Sequence, residues 1–217
     1  MKKAFISLFL SMVCLLGKAD WADNFKFAYY GIAEGLCDEY AISIYEDNDG
    51  YIWICTSNGL DRFDGHRFVH FSSQSENQNT RIKNSFIYGI VDDDLGGLWV
   101  VSNNGLLKID KKNESILFPY NMGDFGYALS EAMIGIVKGN SNDLLILKRE
   151  GIMRIELDQD GNISKVRASG TKLFGNRIMT LTGNILYIGG LNGIEGYRIS
   201  TNGEMSPLER SVLDPIS

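Results

Sequence analysis

Histidine, proline and cysteine are all scarce in this chain: 217 residues hold two His, three Pro and three Cys. The two histidines, His66 and His70, share one short stretch. No Ser/His/Asp or Cys/His constellation is recognisable around them, and no Gly-x-Ser-x-Gly turn occurs. They alternate onto one face of an expected strand, but no third ligand stands beside them. The sequence therefore indicates no metal site, and both read as exposed strand residues. Basic residues are too few for a nucleic-acid footprint, since the net charge is −6 and the pI about 5.0. No segment shows a sustained 3.6-residue apolar period, so helices should be rare. Twenty-four glycines beside so little proline point to many tight turns rather than disorder.

Long apolar runs are missing too, except at the N-terminus. Met1-Lys2-Lys3 is followed by an apolar stretch of 13 residues, Ala4 to Leu16. Small residues at Gly17 and Ala19 then suit cleavage after Ala19, with Ala22 as a second choice. The run is short for a spanning helix, which needs about 20 residues. Residues 1–19 read as a secretory signal peptide, with a retained anchor or lipid attachment at Cys14 as alternatives. The remainder is expected to be periplasmic. Export would place Cys37 and Cys55 where a disulfide can persist. Two packed free thiols and a Cys37–Cys55 bridge both remain open.

What the chain does contain is a repeat. The stretch from Ile42 to Asp64 aligns without a gap with Tyr88 to Asp110, 46 residues later. Asp47, Gly50, Trp53, Gly59 and Leu60 return as Asp93, Gly96, Trp99, Gly105 and Leu106. A third copy keeps Ile136 and Gly151 and puts Leu145 in the Trp place. A fourth has Leu181 in the Ile place, Tyr187 in the Trp place and Gly193 in the Gly place, with a first turn about three residues shorter. Repeats are expected at about 38–83, 84–129, 130–174 and 175–217.

Each copy reads as short strands between turns. In the first, Ala41 to Glu46 and Tyr51 to Thr56 flank the turn Asp47-Asn48-Asp49-Gly50. Leu60 to Phe63 and Arg67 to Phe71 follow. Four antiparallel strands per unit of this length are the signature of a propeller blade. The fold class is all-β: about four four-stranded blades, forming an incomplete propeller over residues 20–217. Phe25 to Tyr30 reads as an extra strand. Ser72 to Asn84 and Pro119 to Glu131 read as long connections of the kind that meet ligands.

Glu34-Gly35-Leu36, then Ile44…Asp47-x-x-Gly50-Tyr-Ile-Trp-Ile-Cys-Thr…Gly59-Leu60-x-Arg-Phe-Asp-Gly65, resembles the two-component-regulator propeller repeat. The second copy, Ile90…Asp93-x-x-Gly96-Gly-Leu-Trp-Val-Val-Ser-x-x-Gly105-Leu106, resembles it as well. The resemblance is strong to residue 110 and weaker beyond, and Cys55 stands where the repeat has Gly. It implies the exported sensory part of a hybrid two-component histidine kinase of Bacteroidetes type, commonly responsive to oligosaccharides. No kinase or receiver region is present. The resemblance thus implies the first part of a longer sensor, with a small stand-alone propeller as the alternative.

Trp53 and Trp99 sit mid-strand and read as inter-blade core rather than sugar platforms. Tyr29, Tyr30, Tyr51 and Tyr127 are the candidates for surface stacking. Asp47 to Asp49 and Asp92 to Asp94 read as turn chemistry, with a weakly bound cation as the alternative. No catalytic residue and no cofactor are indicated. Three functions follow: an oligosaccharide-sensing module, an interaction scaffold that self-associates or joins the rest of a sensor, and a glycan-active enzyme. An incomplete propeller must expose apolar flanks. The isolated chain should therefore self-associate or unfold at low temperature. A monomer with one cooperative, high-temperature transition in calorimetry would rule the open arrangement out.

Overall fold

In a computed structural model, residues 26–82, 86–103, 105–120, 133–140, 142–149, 151–168, 176–190, 193–201 and 203–208 are described. The expected signal segment and Tyr127 lie outside them. Residues 26–30 belong to a separate unit and carry no regular structure, so the strand expected over Phe25 to Tyr30 does not form in its described part. No described helix is long and apolar enough to cross a membrane.

All sixteen described strands lie in the second unit and make four antiparallel sheets in simple sequence order. The first sheet holds β1 (Ala41–Glu46), β2 (Ile52–Thr56), β3 (Gly59–Phe63) and β4 (Phe68–Phe71). The second holds β5 (Ile87–Asp92), β6 (Gly97–Ser102), β7 (Gly105–Asp110) and β8 (Ser115–Tyr120). The third holds β9 (Met133–Lys138), β10 (Asp143–Lys148), β11 (Gly151–Leu157) and β12 (Ile163–Ala168). The fourth holds β13 (Asn176–Thr182), β14 (Ile185–Gly190), β15 (Gly193–Ile199) and β16 (Met205–Pro207). The described residues of this unit make four propeller blades. Pro119, read as the start of a loop, instead pairs with Leu107 on β8. An outer edge strand tolerates a residue that cannot donate.

The Asp and Trp of the repeat are joined by a hydrogen bond. Trp53 Nε1 donates to Asp47 Oδ2 at 2.8 Å, and Trp99 Nε1 donates to Asp93 Oδ2 at 3.2 Å. The other carboxylate oxygen closes the turn, accepting the amides of Asp49 and Tyr51, or of Leu95 and Gly97. These turns end on Gly50 and Gly96, at φ +84 and +91°. Gly59 is fixed by contact as well: a Cβ there would stand 2.7 Å from the carbonyl of Phe71. Leu60 and Leu106, next to Gly59 and Gly105, are buried in the blade faces. The third blade exchanges two residues. Gly139 takes the Asp place and Asp143 takes the place of Gly97, so the carboxylate reaches the same space from the opposite strand.

Each inter-blade layer joins the Trp-bearing face of one blade to the opposite face of the next. Trp53, Cys55 and Leu60 pack on Leu98, Val100 and Ile109. Trp99, Val101 and Leu106 pack on Leu144, Ile146 and Ile155. Leu145, Leu147 and Ile152 pack on Leu186, Ile188 and Tyr197. The register shows that Tyr187 pairs with Thr180 and Ile188 with Met179, as Trp53 pairs with Tyr45 and Ile54 with Ile44. Met179, not Leu181, therefore fills the Ile place. The two-residue turn Gly183-Asn184, against five residues in the first blade, moves the strand relative to the spacing.

A cation on the third strand ties each layer. Arg62 pairs with Glu114, and Lys108 Nζ donates to the carbonyl of Gly161 at 2.7 Å. Arg154 lies against Gly203, where an added Cβ would meet its guanidinium. Each partner lies in the turn before the next blade's fourth strand. The corresponding place in the fourth blade, opposite Tyr187, is Gly196.

Among the described residues, the outer faces of the first and last blades expose apolar side chains. Ile44 is 69% exposed while Ile90, Ile136 and Met179, at the same place, are buried. On the far side Ile194 is 65% exposed, whereas Leu60, Leu106 and Ile152 are buried. Truncating Ile90 to Ala should cost about 2–5 kcal/mol, as buried isoleucines do. The same change at Ile44 should stay within about 0.5 kcal/mol. Urea unfolding of the two variants checks this; equal losses would mean that the first blade's outer face is covered in solution.

Candidate functional site

The residues 31–40 fold over the outer half of the first blade. A 3-10 turn at Ile32–Glu34 is closed by Gly35 in the left-handed region, and Glu34 Oε2 accepts the amide of Gly31 at 2.7 Å. Gly35 then lies against the ring of Phe68. Beyond it the amide of Cys37 donates to Asp61 Oδ2 at 2.8 Å. Ser57 closes the segment by donating its amide to Tyr40 O and its hydroxyl to Asp38 Oδ2.

Asp61 on β3 is the centre of this arrangement. Its side chain is wholly buried, and its other oxygen lies 2.5 Å from Nδ1 of His70 on β4. Cys37 Sγ lies 3.3 Å from Thr56 Oγ1. One donor atom each of Cys37, Asp61 and His70 falls within 4.8 Å of the others. The sequence offered His70 no such company, because its neighbours, Asp61 and Cys37, stand 9 and 33 residues earlier on two other segments. His66 takes no part. It lies in the bend before β4, its amide donating to Asp64, so the shared strand face expected for the two histidines does not form.

Cys37 and Cys55 are both free thiols, so the bridge considered for them does not form. Burial pushes each thiol up to about 12, from an ordinary value near 9.0. Asp61 and Asp38 add to the shift at Cys37.

Cys37 and His70 line a cleft of about 600 Å³. Its other walls come from the 3-10 turn, from Asn58, and from the connection after β4, which contributes Gln74, Glu76 and Asn77. That connection is the described part of the long loop expected over Ser72 to Asn84. Asn77 caps a 3-10 turn at Gln78–Thr80, its side chain accepting the amide of Asn79. Ser72 bridges back to Arg81. The second expected loop, Pro119 to Glu131, lies outside the described residues after 120.

Most of the remaining candidates are already engaged. Trp53 and Trp99 are fully buried. The Arg62 guanidinium lies 4.3 Å from the Tyr51 ring centroid and occupies a face a sugar would need. Tyr29 and Tyr30 are exposed. In the acidic turns, Lys111 bridges Asp49 and Asp92, while Lys138 holds Asp94. The hydrogen bond from Lys138 lowers the pKa of Asp94.

The description "two component regulator propeller" matches residues 35–58, the stretch that holds Cys37, β1, Asp47 and Trp53. No curated protein matches the chain in sequence. Among solved structures, the extracellular domain of BT3049 from B. thetaiotaomicron, assigned to the hybrid two component systems, is 20% identical with a TM-score of 0.62. That match covers 84% of this chain and 26% of the other. PorZ, a surface component of the type-IX secretion system of Porphyromonas gingivalis, is 15% identical with a TM-score of 0.58, covering 83% and 24%. Virginiamycin B lyase from Staphylococcus aureus is 19% identical with a TM-score of 0.57, covering 81% and 57%. At these identities the likeness is one of fold. The chain spans about a quarter of the length of the sensor ectodomain. The first blade carries a two component regulator propeller repeat.

The raised thiols set a pH dependence. A thiol that holds its proton more tightly when folded stabilises the fold fully below pH about 9, its unfolded value. That contribution is lost as pH rises towards 12. Tyr197, pushed up to about 12 by burial and Glu195, acts in the same direction. Urea midpoints should fall across this window, and less steeply in Cys37→Ser. A midpoint that climbs with pH would contradict the assignment.

Proposed function

We propose that this chain is the exported, ligand-binding propeller portion of a two-component receptor, and that its ligand is an oligosaccharide. The observation that carries the reading is the two component regulator propeller repeat at residues 35–58, in the blade that also bears the 600 Å³ cleft. The cleft has the character such a ligand needs. Gln74, Asn77 and Asn58 offer amide donors and acceptors for hydroxyl groups, Glu76 and Glu114 accept, and Ile32, Leu36 and Val69 give apolar area for sugar ring faces. The chain binds rather than transforms its ligand, and the response passes to other parts of the receptor by a shift between arrangements of the blades.

A second reading has its own support. The exposed isoleucines at both ends of the blade array, Ile44, Ile178 and Ile194, suit a scaffold that packs against further protein.

Calorimetric titration and thermal shift of the chain against a panel of oligosaccharides tests the first reading. One glycan class should raise the unfolding temperature, and Gln74→Ala with Asn77→Ala should weaken its binding about tenfold, the equivalent of about 1.4 kcal/mol. If no glycan stabilises the chain, the scaffold reading stands in its place; turnover of a glycan would make the chain an enzyme.

A further inference from the structure

We propose that Cys37, Asp61 and His70 form a binding site for one divalent transition-metal ion of the zinc class. The three donors are a sulfur, a carboxylate oxygen and an imidazole nitrogen, the set that zinc takes in proteins. They converge from three segments to within 4.8 Å of one another. A tetrahedral ion with bonds of about 2.0–2.3 Å holds its ligand atoms somewhat closer than that, so the cluster has to contract on its longest side. It also has to open on its shortest, the 2.5 Å contact between His70 and Asp61. His70 is 44% exposed on the outermost strand of the blade, where its side chain can turn.

The repeat supplies an independent reason. Asp61 pairs with Ile54 on β2; the residues that pair at the same place in the next two blades are Leu107 and Met153, both buried and apolar. His70 pairs with Asp61, while Pro119 and Ala168 occupy its place. In the fourth blade the acid at the Asp61 place, Glu195, is exposed. The first blade alone puts a fully buried carboxylate where its neighbours put core. A buried carboxylate is costly unless paired. Asp61 offsets that cost with the Cys37 amide and His70, and a departure from the repeat that recruits two partners from other segments marks a functional position.

The chemistry balances simply. As the ion enters, the Cys37 thiol gives up its proton to solvent and its sulfur forms the bond to the metal; Asp61 binds as the carboxylate and His70 as the neutral imidazole. Binding should strengthen with pH for that reason. Because Cys37 and His70 line the cleft, the bound ion keeps a side open to water or to an oxygen of a ligand. The site shares the cleft of the oligosaccharide reading, but its test is independent of that reading, since the metal alone is the probe.

Cobalt(II), which reports thiolate ligation by an intense charge-transfer absorption, is titrated into the chain carrying no added histidine tag, and zinc is then used to displace it. One equivalent should bind with that absorption and be displaced by zinc. Cys37→Ser should abolish the absorption, and His70→Ala should weaken binding at least tenfold. Cys55→Ser and His66→Ala should bind as the parent does. Asp61→Asn should also weaken binding; if it fails to fold, the exposed His70 variant carries the test. A parent chain without the absorption, or an absorption that survives Cys37→Ser, overturns the proposal.

Discussion

Each blade carries two apolar faces and can bury them only against its neighbours. Everything else in the fold follows from that requirement. It explains why strands such as Gly97–Ser102 and Asp143–Lys148 are apolar without strict alternation, because both sides meet a neighbouring blade. In the first two layers the Trp place is filled by the largest side chain, at Trp53 and Trp99, and in the third by the buried Leu145. The hydrogen bond from each indole to the turn aspartate then fixes that ring and the turn together. The third-strand cation completes the layer by reaching across it. Where no further described blade follows, the requirement lapses: the cation becomes Gly196, and Ile194 stands in the open.

Much of this was legible in the sequence because the repeat repeats its chemistry as well as its spacing. Asp47, Gly50 and Trp53 return 46 residues later, and the strands of three blades begin at positions 41, 87 and 133 accordingly. The cation at 62, 108 and 154 follows the same spacing but was less visible, since it alternates between Arg and Lys and its partners differ in each blade. The third blade looked degraded because its aspartate had crossed to the facing strand, a change that preserves the carboxylate and hides it from alignment. The fourth misled by register. Leu181 sat at an apolar place, but a two-residue turn put Met179 opposite Ile188 instead.

The cluster at Cys37, Asp61 and His70 was not legible as a cluster. Its members are separated in sequence, and pairing in three dimensions was needed to join them. One signal was nevertheless present. Asp61 interrupts a position that the next two copies keep apolar, and a charged residue at a core place asks for a partner.

Why that departure falls in the first blade has a physical answer. In the second and third blades, Leu107 and Met153 press against another blade and have no freedom to be polar. The corresponding face of the first blade meets the irregular segment 35–38, whose backbone can turn an amide towards a carboxylate. A strand face cannot do this, because its amides are already committed within the sheet. The end of a repeat array is thus the place where a buried charge costs least. It is also where a chain segment rather than a blade covers the surface, so that a cleft such as the one beside His70 can stay open. The family repeat maps to the same stretch, residues 35–58. The family repeat and the Cys37–Asp61–His70 cluster therefore fall in one blade.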